Sequence, residues 1–186
     1  MAQFVHPFYQ TPFPQATAQL TYATTFDNPW PGTAGNGAVV RDFVTGINAS
    51  AYIPFGVLVS RDVINGDQAV KLPASAGDVQ AAVGVAVRTG AMESRRDLLP
   101  PSYAPGDPIN IQTMGDIWTV PETAVVKGGA VFVRITANGP LTQLGAFRGD
   151  NDGGNAVQLA GAVWDSSQTA PSQPARIALN RIGQLA

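Results

Sequence analysis

Cysteine is absent from the 186 residues, which removes disulfides, thiolate metal sites and cysteine nucleophiles together. Histidine occurs once, as His6 between Val5 and Pro7 in a proline-rich stretch, so no Ser-His-Asp arrangement is to be expected. Glutamate is limited to Glu93 and Glu122. The aspartates lie mostly beside Gly, Asn, Arg or Pro, where they form turns rather than a pair of catalytic carboxylates. Charged residues make up only 13% of the chain, with a net charge of −2, against about 25% charged residues in an average domain. The only adjacent basic pair is Arg95-Arg96, so the phosphate-neutralising cluster of a nucleic-acid binder is missing. No apolar run approaches the roughly 18 residues of a membrane span. The leading residues, MAQFVHPFYQTPFP, have no basic segment followed by an apolar one and do not read as a signal peptide. Neither G-x-x-x-x-G-K-[ST] nor a helix-opening G-x-G-x-x-G occurs. Asp150-Asn151-Asp152-Gly153 starts like a calcium loop but lacks the closing Glu, and reads as a hairpin loop. Arg148-Gly149-Asp150 spells an adhesion tripeptide that chance alone reproduces. The expectation is therefore no enzyme, no cofactor, no metal, no nucleic acid and no membrane.

What is present is turn-forming and β-forming. Glycine (20) and proline (15) make up near a fifth of the chain, and the apolar fraction is 45%, which suits a turn-rich β-protein rather than a disordered one. Residues 108–139 form the centre of the pattern. Ile109 and Ile111 alternate with Asn110 and Gln112. Val131, Val133 and Ile135 alternate with Phe132, Arg134 and Thr136. This period of two buries one face of each run. Met114-Gly115-Asp116 and Lys127-Gly128-Gly129 read as the turns. Val57-Leu58-Val59, 69–72, 79–89 and 175–182 add further strands, with Val83, Val85 and Val87 on one face of the third and small residues on the other. Ile177 and Leu179 point inward on the last. Residues 91–97 form the best helical candidate, and 102–108 read as a loop. Short strands with turns every 8–12 residues or so are the pattern of an all-β protein. The fold class expected is an antiparallel β-barrel or jelly-roll-like sandwich with an extended N-terminal arm, divided into an arm at 1–36 and a barrel domain at 37–186.

The arm stands apart in composition. It holds Phe4, Phe8, Tyr9, Phe13, Tyr22, Phe26 and Trp30, and its only formal charge is Asp27. Its five prolines exclude helix and central strand and favour extended backbone. Aromatic rings dominate interfaces, so these seven residues are the candidate partner-binding set, the other reading being an arm folded back on its own barrel. Trp118, opposite Ile117 and Thr119 on a central strand, is either core or an exposed ring at a subunit contact. Trp164 reads as core.

Several segments together resemble the capsid cement (decoration) proteins of tailed bacteriophages, over roughly residues 37–183. They are IPFGVLVS at 53–60, VKLP at 70–73, AVGVAVRTG at 82–90, YAPGDPINIQTMGDIWTV at 103–120 and VKGGAVFVRIT at 126–136. The resemblance implies a non-enzymatic β-barrel or jelly-roll-like protein on the outer surface of the capsid. It implies clamping of neighbouring major capsid protein subunits, assembly with copies of itself (a homo-trimer preferred over a dimer), and use of extended termini. A carbohydrate-binding or receptor-binding β-sandwich module on a virion is the alternative, and it would need exposed tryptophans beside Asp and Asn in one groove.

Overall fold

Strand-forming alternation accounts for most of the architecture. The computed structural model describes residues 31–35, 41–49, 51–88, 102–171 and 173–180. Among them lie the strands β1 (Asp42–Asn48), β2 (Ile53–Pro54), β3 (Leu58–Arg61), β4 (Ala69–Lys71), β5 (Ala82–Ala86) and β6 (Ser102–Tyr103). They continue with β7 (Pro108–Thr119), β8 (Ala130–Arg134), β9 (Phe147–Arg148), β10 (Ala156–Trp164) and β11 (Ala175–Leu179). One short helix, α1 (Ala76–Gln80), precedes β5.

The main sheet runs β1-β4-β3-β5-β7-β11-β10-β8-β9, and β1 also pairs with β7. That extra pairing closes β1, β4, β3, β5 and β7 into a barrel and leaves β11, β10, β8 and β9 as a wing continuing from β7. All pairings are antiparallel except β1 with β4, which is parallel. The expected barrel is therefore present, with one parallel pair in it.

Strand β7 belongs to both halves. Its first part pairs with β1 through Ile109, Ile111 and Gln112, and its second part, from Gly115 to Thr119, pairs with β11. The segment Met114-Gly115-Asp116, read from sequence as a turn, is instead a bend inside a continuous strand. Phe43 faces Gln112 and Asp42 faces Met114, so Thr113 is an extra, bulged residue, and a bulge bends and twists the strand that carries it. Gly115 follows with φ +98°, a region that other residues rarely adopt. Gln112, wholly buried, spans the bend: its side-chain amide donates to the carbonyls of Met114 and Asp116, both at 3.0 Å.

The bend delivers β7 to two cores. Ile109 and Ile111 enter a barrel core with Ile53, Phe55, Val57, Val59, Val70, Ala86 and Tyr103. Ile117 enters a second core with Leu58, Val85, Val133, Phe147, Trp164, Ile177 and Leu179, among others. Strands β3 and β5 lie between the two cores and are buried on both faces, which is why Val57-Leu58-Val59 is an unbroken apolar run. Trp164, Ile177 and Leu179 lie inside as expected.

Three local expectations change. Residues 79–81 do not extend a strand, because α1 ends there. Its N-cap is Ser75, whose Oγ accepts from the Asp78 N–H at 3.1 Å while the Asp78 carboxylate accepts from the Ala74 N–H and the Ser75 hydroxyl, a relative of the capping box that reaches back one residue further. Val83 leaves the face of Val85 and packs against the barrel core. It is the extra residue of a bulge, since Val59 faces Gly84 and Ser60 faces Ala82. Tyr103, read as part of a loop, is buried in β6. Its ring meets Phe55 edge to face at 5.1 Å between centroids, and its hydroxyl donates to the Val87 carbonyl. The helical candidate at 91–97 lies outside the described residues.

The small-residue face of β5 has its predicted cause. A Cβ on Gly84 would sit 2.3 Å from the Gln112 carbonyl oxygen, so β5 and β7 can pack this closely only without a side chain there. Gly84→Ala is therefore expected to cost about 2 kcal/mol or more, as overpacking does. The readout is a lowered urea midpoint at unchanged slope. Gly77→Ala in α1, where an added Cβ meets only the Ser75 Oγ at 3.7 Å, should be neutral or stabilise by up to about 1 kcal/mol.

Candidate interaction surface

The root of the arm is woven into the sheet. The N–H of Gly32 donates to the Trp118 carbonyl (2.8 Å), the Trp118 N–H to the Thr33 carbonyl (2.9 Å), and the Gly35 N–H to the Asp116 carbonyl (2.7 Å). Ala34 bridges antiparallel to Ile117. Residues 32–35 thus run along the free side of β7, opposite β11, with a single antiparallel bridge at Ala34. The Arg88 N–H donates to the Gly32 carbonyl at 3.0 Å, tying the same strap to the end of β5. The fit is close: a Cβ on Gly32 would lie 2.9 Å from the Arg88 nitrogen and 3.0 Å from that of Gly56.

Trp118 sits under this strap and is half-buried. Its neighbours Ile117 and Thr119 are buried, as the strand period requires. On β11 the facing residue is Arg176, whose guanidinium lies 5.8 Å from the centre of the Trp118 ring, within cation–π range. Arg176 also pairs with Asp165, which in turn holds Lys127. Phe4, Phe8, Tyr9, Phe13, Tyr22, Phe26 and Trp30 lie outside the described residues, as does His6.

Beside Pro31 the surface opens into a groove of about 590 Å³. Its walls come from six separate segments. They are Pro31, Pro54 to Val57 around the end of β2, Arg88 after β5, Thr119 to Glu122 at the end of β7, Pro140 to Gln143 with Ala146 before β9, and Pro171 before β11. The larger walls are fixed by backbone or side-chain bonds. Thr119 Oγ1 donates to the Gly56 carbonyl at 2.8 Å. The Leu58 N–H donates to the Gly145 carbonyl (2.9 Å), and the Glu122 N–H to the Phe147 carbonyl (2.9 Å).

Behind the groove lies a charged network that the sequence did not reveal. Arg134 on β8 is 0% exposed. Its Nε and Nη2 grip the Glu122 carboxylate at 2.8 Å each, Nη2 also reaches Asp152 Oδ2 at 2.9 Å, and Nη1 donates to the Thr136 carbonyl. Arg148 on β9 meets Glu122 at 3.3 Å, Asp152 at 2.9 Å and Asp150 at 2.7 Å. Two guanidiniums thus share three carboxylates, and the planar, multidentate geometry satisfies buried charge that would otherwise be costly. Asn138's amide, with Arg134 and Arg148 beside it, holds the Asp152 carboxyl below the ordinary carboxylate range. Hydrogen bonds to Glu122 raise Arg134 above its usual value.

This geometry bears on the chemistry considered from sequence. Glu122 does not decorate a turn; it is the clamp between two strands. Glu122 and Asp152 are brought together, but arginines occupy both, and a carboxyl held low is unsuited to be the general acid of a glycosidase. Arg148 of the Arg-Gly-Asp tripeptide is buried and turned onto its own Asp150, so the tripeptide is not presented. Among the described residues no group of three or more His, Asp or Glu has metal-binding geometry, and no helix is long and apolar enough to cross a membrane. Neither described tryptophan offers the exposed ring that a sugar-binding groove uses.

A second apolar feature lies at the mouth of the barrel, a cavity of about 480 Å³ lined by Val44, Val63, Val70, Val83 and Ile111 with Asp42, Arg61 and Asp67. Beside it Val63 and Ile64 are 79% and 87% exposed. They are held at the loop tip by the Asp62 carboxylate, which accepts from the Ile64 N–H and the Asn65 amide. The sequence marks this stretch only as a turn.

The family model described as Structural cement protein (E217 gp24/Pam3 gp6) matches residues 18–180. A chain in the solved structure "The capsid of Myoviridae Phage XM1" superposes on 90% of this chain and 99% of its own length, with a TM-score of 0.65 and 15% identity. That likeness is one of fold. No curated protein matches the chain.

Two outcomes are expected from the charged network. Arg134→Met removes the bidentate partner of Glu122 and leaves Arg148 alone to neutralise three carboxylates, and should cost about 3–5 kcal/mol, measured by chemical denaturation. Asp152 has a folded pKa below its unfolded value, about 3.9. Its contribution to stability is therefore present above about pH 4 and is lost as the pH falls through the folded pKa. Unfolding free energy measured from pH 6 to pH 2 should fall on the acid side, and Asp152→Asn should flatten that fall.

Proposed function

The chain belongs to the structural cement protein family, and from that premise we propose that it works by gluing: it binds the outer surface of a phage head and joins neighbouring major capsid protein subunits. Membership carries a structural role in the capsid of the virion. The finer reading concerns what is joined and by which residues.

In this reading the arm, residues 1–36, is the adhesive part and residues 37–186 are the body that anchors it. Phe4, Phe8, Tyr9 and Phe13 are the contact rings farthest from the body. Large apolar rings in a desolvated contact carry most of an interface's affinity, at about 2 kcal/mol or more per anchor. The prolines limit the arm's conformations before binding, so less entropy is lost on contact. A contact made only on the assembled shell stabilises that shell by mass action. Copies of the chain act together, as trimers in preference to dimers, and Trp118 beside the strap is a contact residue between copies.

The observation that supports this reading best is the strap. A load on the arm enters the body at 32–35 through backbone bonds to Trp118 and Asp116. It passes into β7, the strand that the barrel and the wing share. An arm rooted in the most heavily bonded strand is suited to bearing force.

The test is co-sedimentation with undecorated heads. The full chain should pellet with the heads. A variant lacking residues 1–30, which keeps the strap, should remain folded by circular dichroism yet stay in the supernatant. Full retention of head binding by that variant would falsify the assignment of adhesion to the arm.

A further inference from the structure

We propose that the groove beside the arm's root receives the proximal rings of the same chain's own arm, Phe26 and Trp30, leaving the distal rings free for the partner. The role given to the distal rings rests on the cement reading; the docking itself does not.

Three observations carry this. The first is continuity: Pro31, the residue directly after Trp30, is itself a wall of the groove, and the next residues are hydrogen-bonded to β7. The chain therefore arrives at the body at this groove. Phe26 lies five residues before Pro31, so an extended backbone brings it within about 16 Å.

The second is chemical match. The groove is lined by Pro54, Phe55, Val57, Pro121, Pro140 and Leu141 among others. Its ionisable wall residues, Arg88 and Glu122, are both already engaged. A proline-rich apolar groove suits an uncharged, extended, ring-bearing segment, and residues 20–30 (LTYATTFDNPW) carry one charge, Asp27. A cavity of comparable size lies at the barrel mouth, and Asp42, Arg61 and Asp67 on its walls make it a poorer match.

The third is size. A volume of about 590 Å³ falls within the range of about 300–1,000 Å³ that holds one compact ligand. It has room for one or two rings and the backbone joining them, not for all seven aromatics. The consequence is a division of the arm: its near part sets the direction in which it leaves the body, and its far part reaches outward. Fixing that direction beforehand reduces the ordering cost of binding.

The absence of cysteine makes the test clean. Thr25→Cys is combined with Thr142→Cys, or with Gln143→Cys, in the full-length chain without heads, so that both rings stay in place, and mild oxidation is followed on non-reducing gels. Thr142 is exposed, so its replacement should not disturb the fold. Rapid formation of an intrachain disulfide, at monomer mass, is expected, and adding Phe26→Ala with Trp30→Ala to the same pair, which keeps the tether length, should slow it at least tenfold. Cross-linking at dimer mass would overturn the proposal in favour of a sister copy's arm. Equal rates with and without the two rings would overturn it as well. As a second measurement, Phe26→Ala with Trp30→Ala should speed hydrogen exchange at residues 141–146 at least tenfold, and unchanged exchange would contradict the docking. Either failure leaves the head-binding result untouched, so the two readings fall separately.

Discussion

Strand β7 can serve two sheets only because its backbone turns at Thr113 to Asp116 without breaking. A bend in a buried strand turns carbonyls away from their partners, and unpaired carbonyls in a core are expensive. Here the Gln112 amide donates to two carbonyls at the bend, those of Met114 and Asp116, the second of which also accepts from the Gly35 N–H. The bulge at Thr113 and the positive φ of Gly115 set the angle. Everything else is arranged around this: the barrel closes on the first half of β7, the wing hangs from the second, and the strap of the arm pairs with the second half on its free side. Gly84 lets β5 approach the strand at the same level.

The wing is held by electrostatics as well as by its core. Arg134 and Arg148 bind Glu122, Asp150 and Asp152 together, locking β8 and β9 to the segment that follows β7. Removing one member of such a cluster leaves the others buried without full compensation, which costs more than the cluster contributes over an apolar core. The cluster includes a groove wall, since Glu122 lines the groove. Strap, groove and charged network thus meet within a few residues of the end of β7. For a protein whose family role is structural, this places the attachment of the arm where the body has least freedom to yield.

Much of the body was legible in the sequence where a single physical rule decided it. Ile109 and Ile111, Val131 and Val133, and Ile177 and Leu179 alternate because one face of each strand is buried. Val57 to Val59 does not alternate because β3 is buried on both. What escaped was decided by partners distant in sequence. Gly115 accepts a positive φ in a turn or in a bend alike, and only Gln112's bonds across the kink distinguish the two. Glu122 sits beside Pro121 as a turn residue would, yet its partners lie 12 and 26 residues on. The groove draws on six segments and has no local signature. The helix α1 did have one, Ser75 three residues before Asp78, hidden by the apolar run that follows. The arm's aromatic composition was plain throughout, but its rings lie outside the described residues, and the strap at 32–35 is the part of it whose attachment is visible.

The proposed role is mechanical, and it is read most directly from the temperature at which DNA-filled heads release their DNA, followed by dye fluorescence with and without the protein. If the protein joins capsid subunits, the release temperature rises with added protein and levels off once the binding positions are full. Heads that bind the protein to saturation and still release their DNA at the undecorated temperature would contradict a joining role.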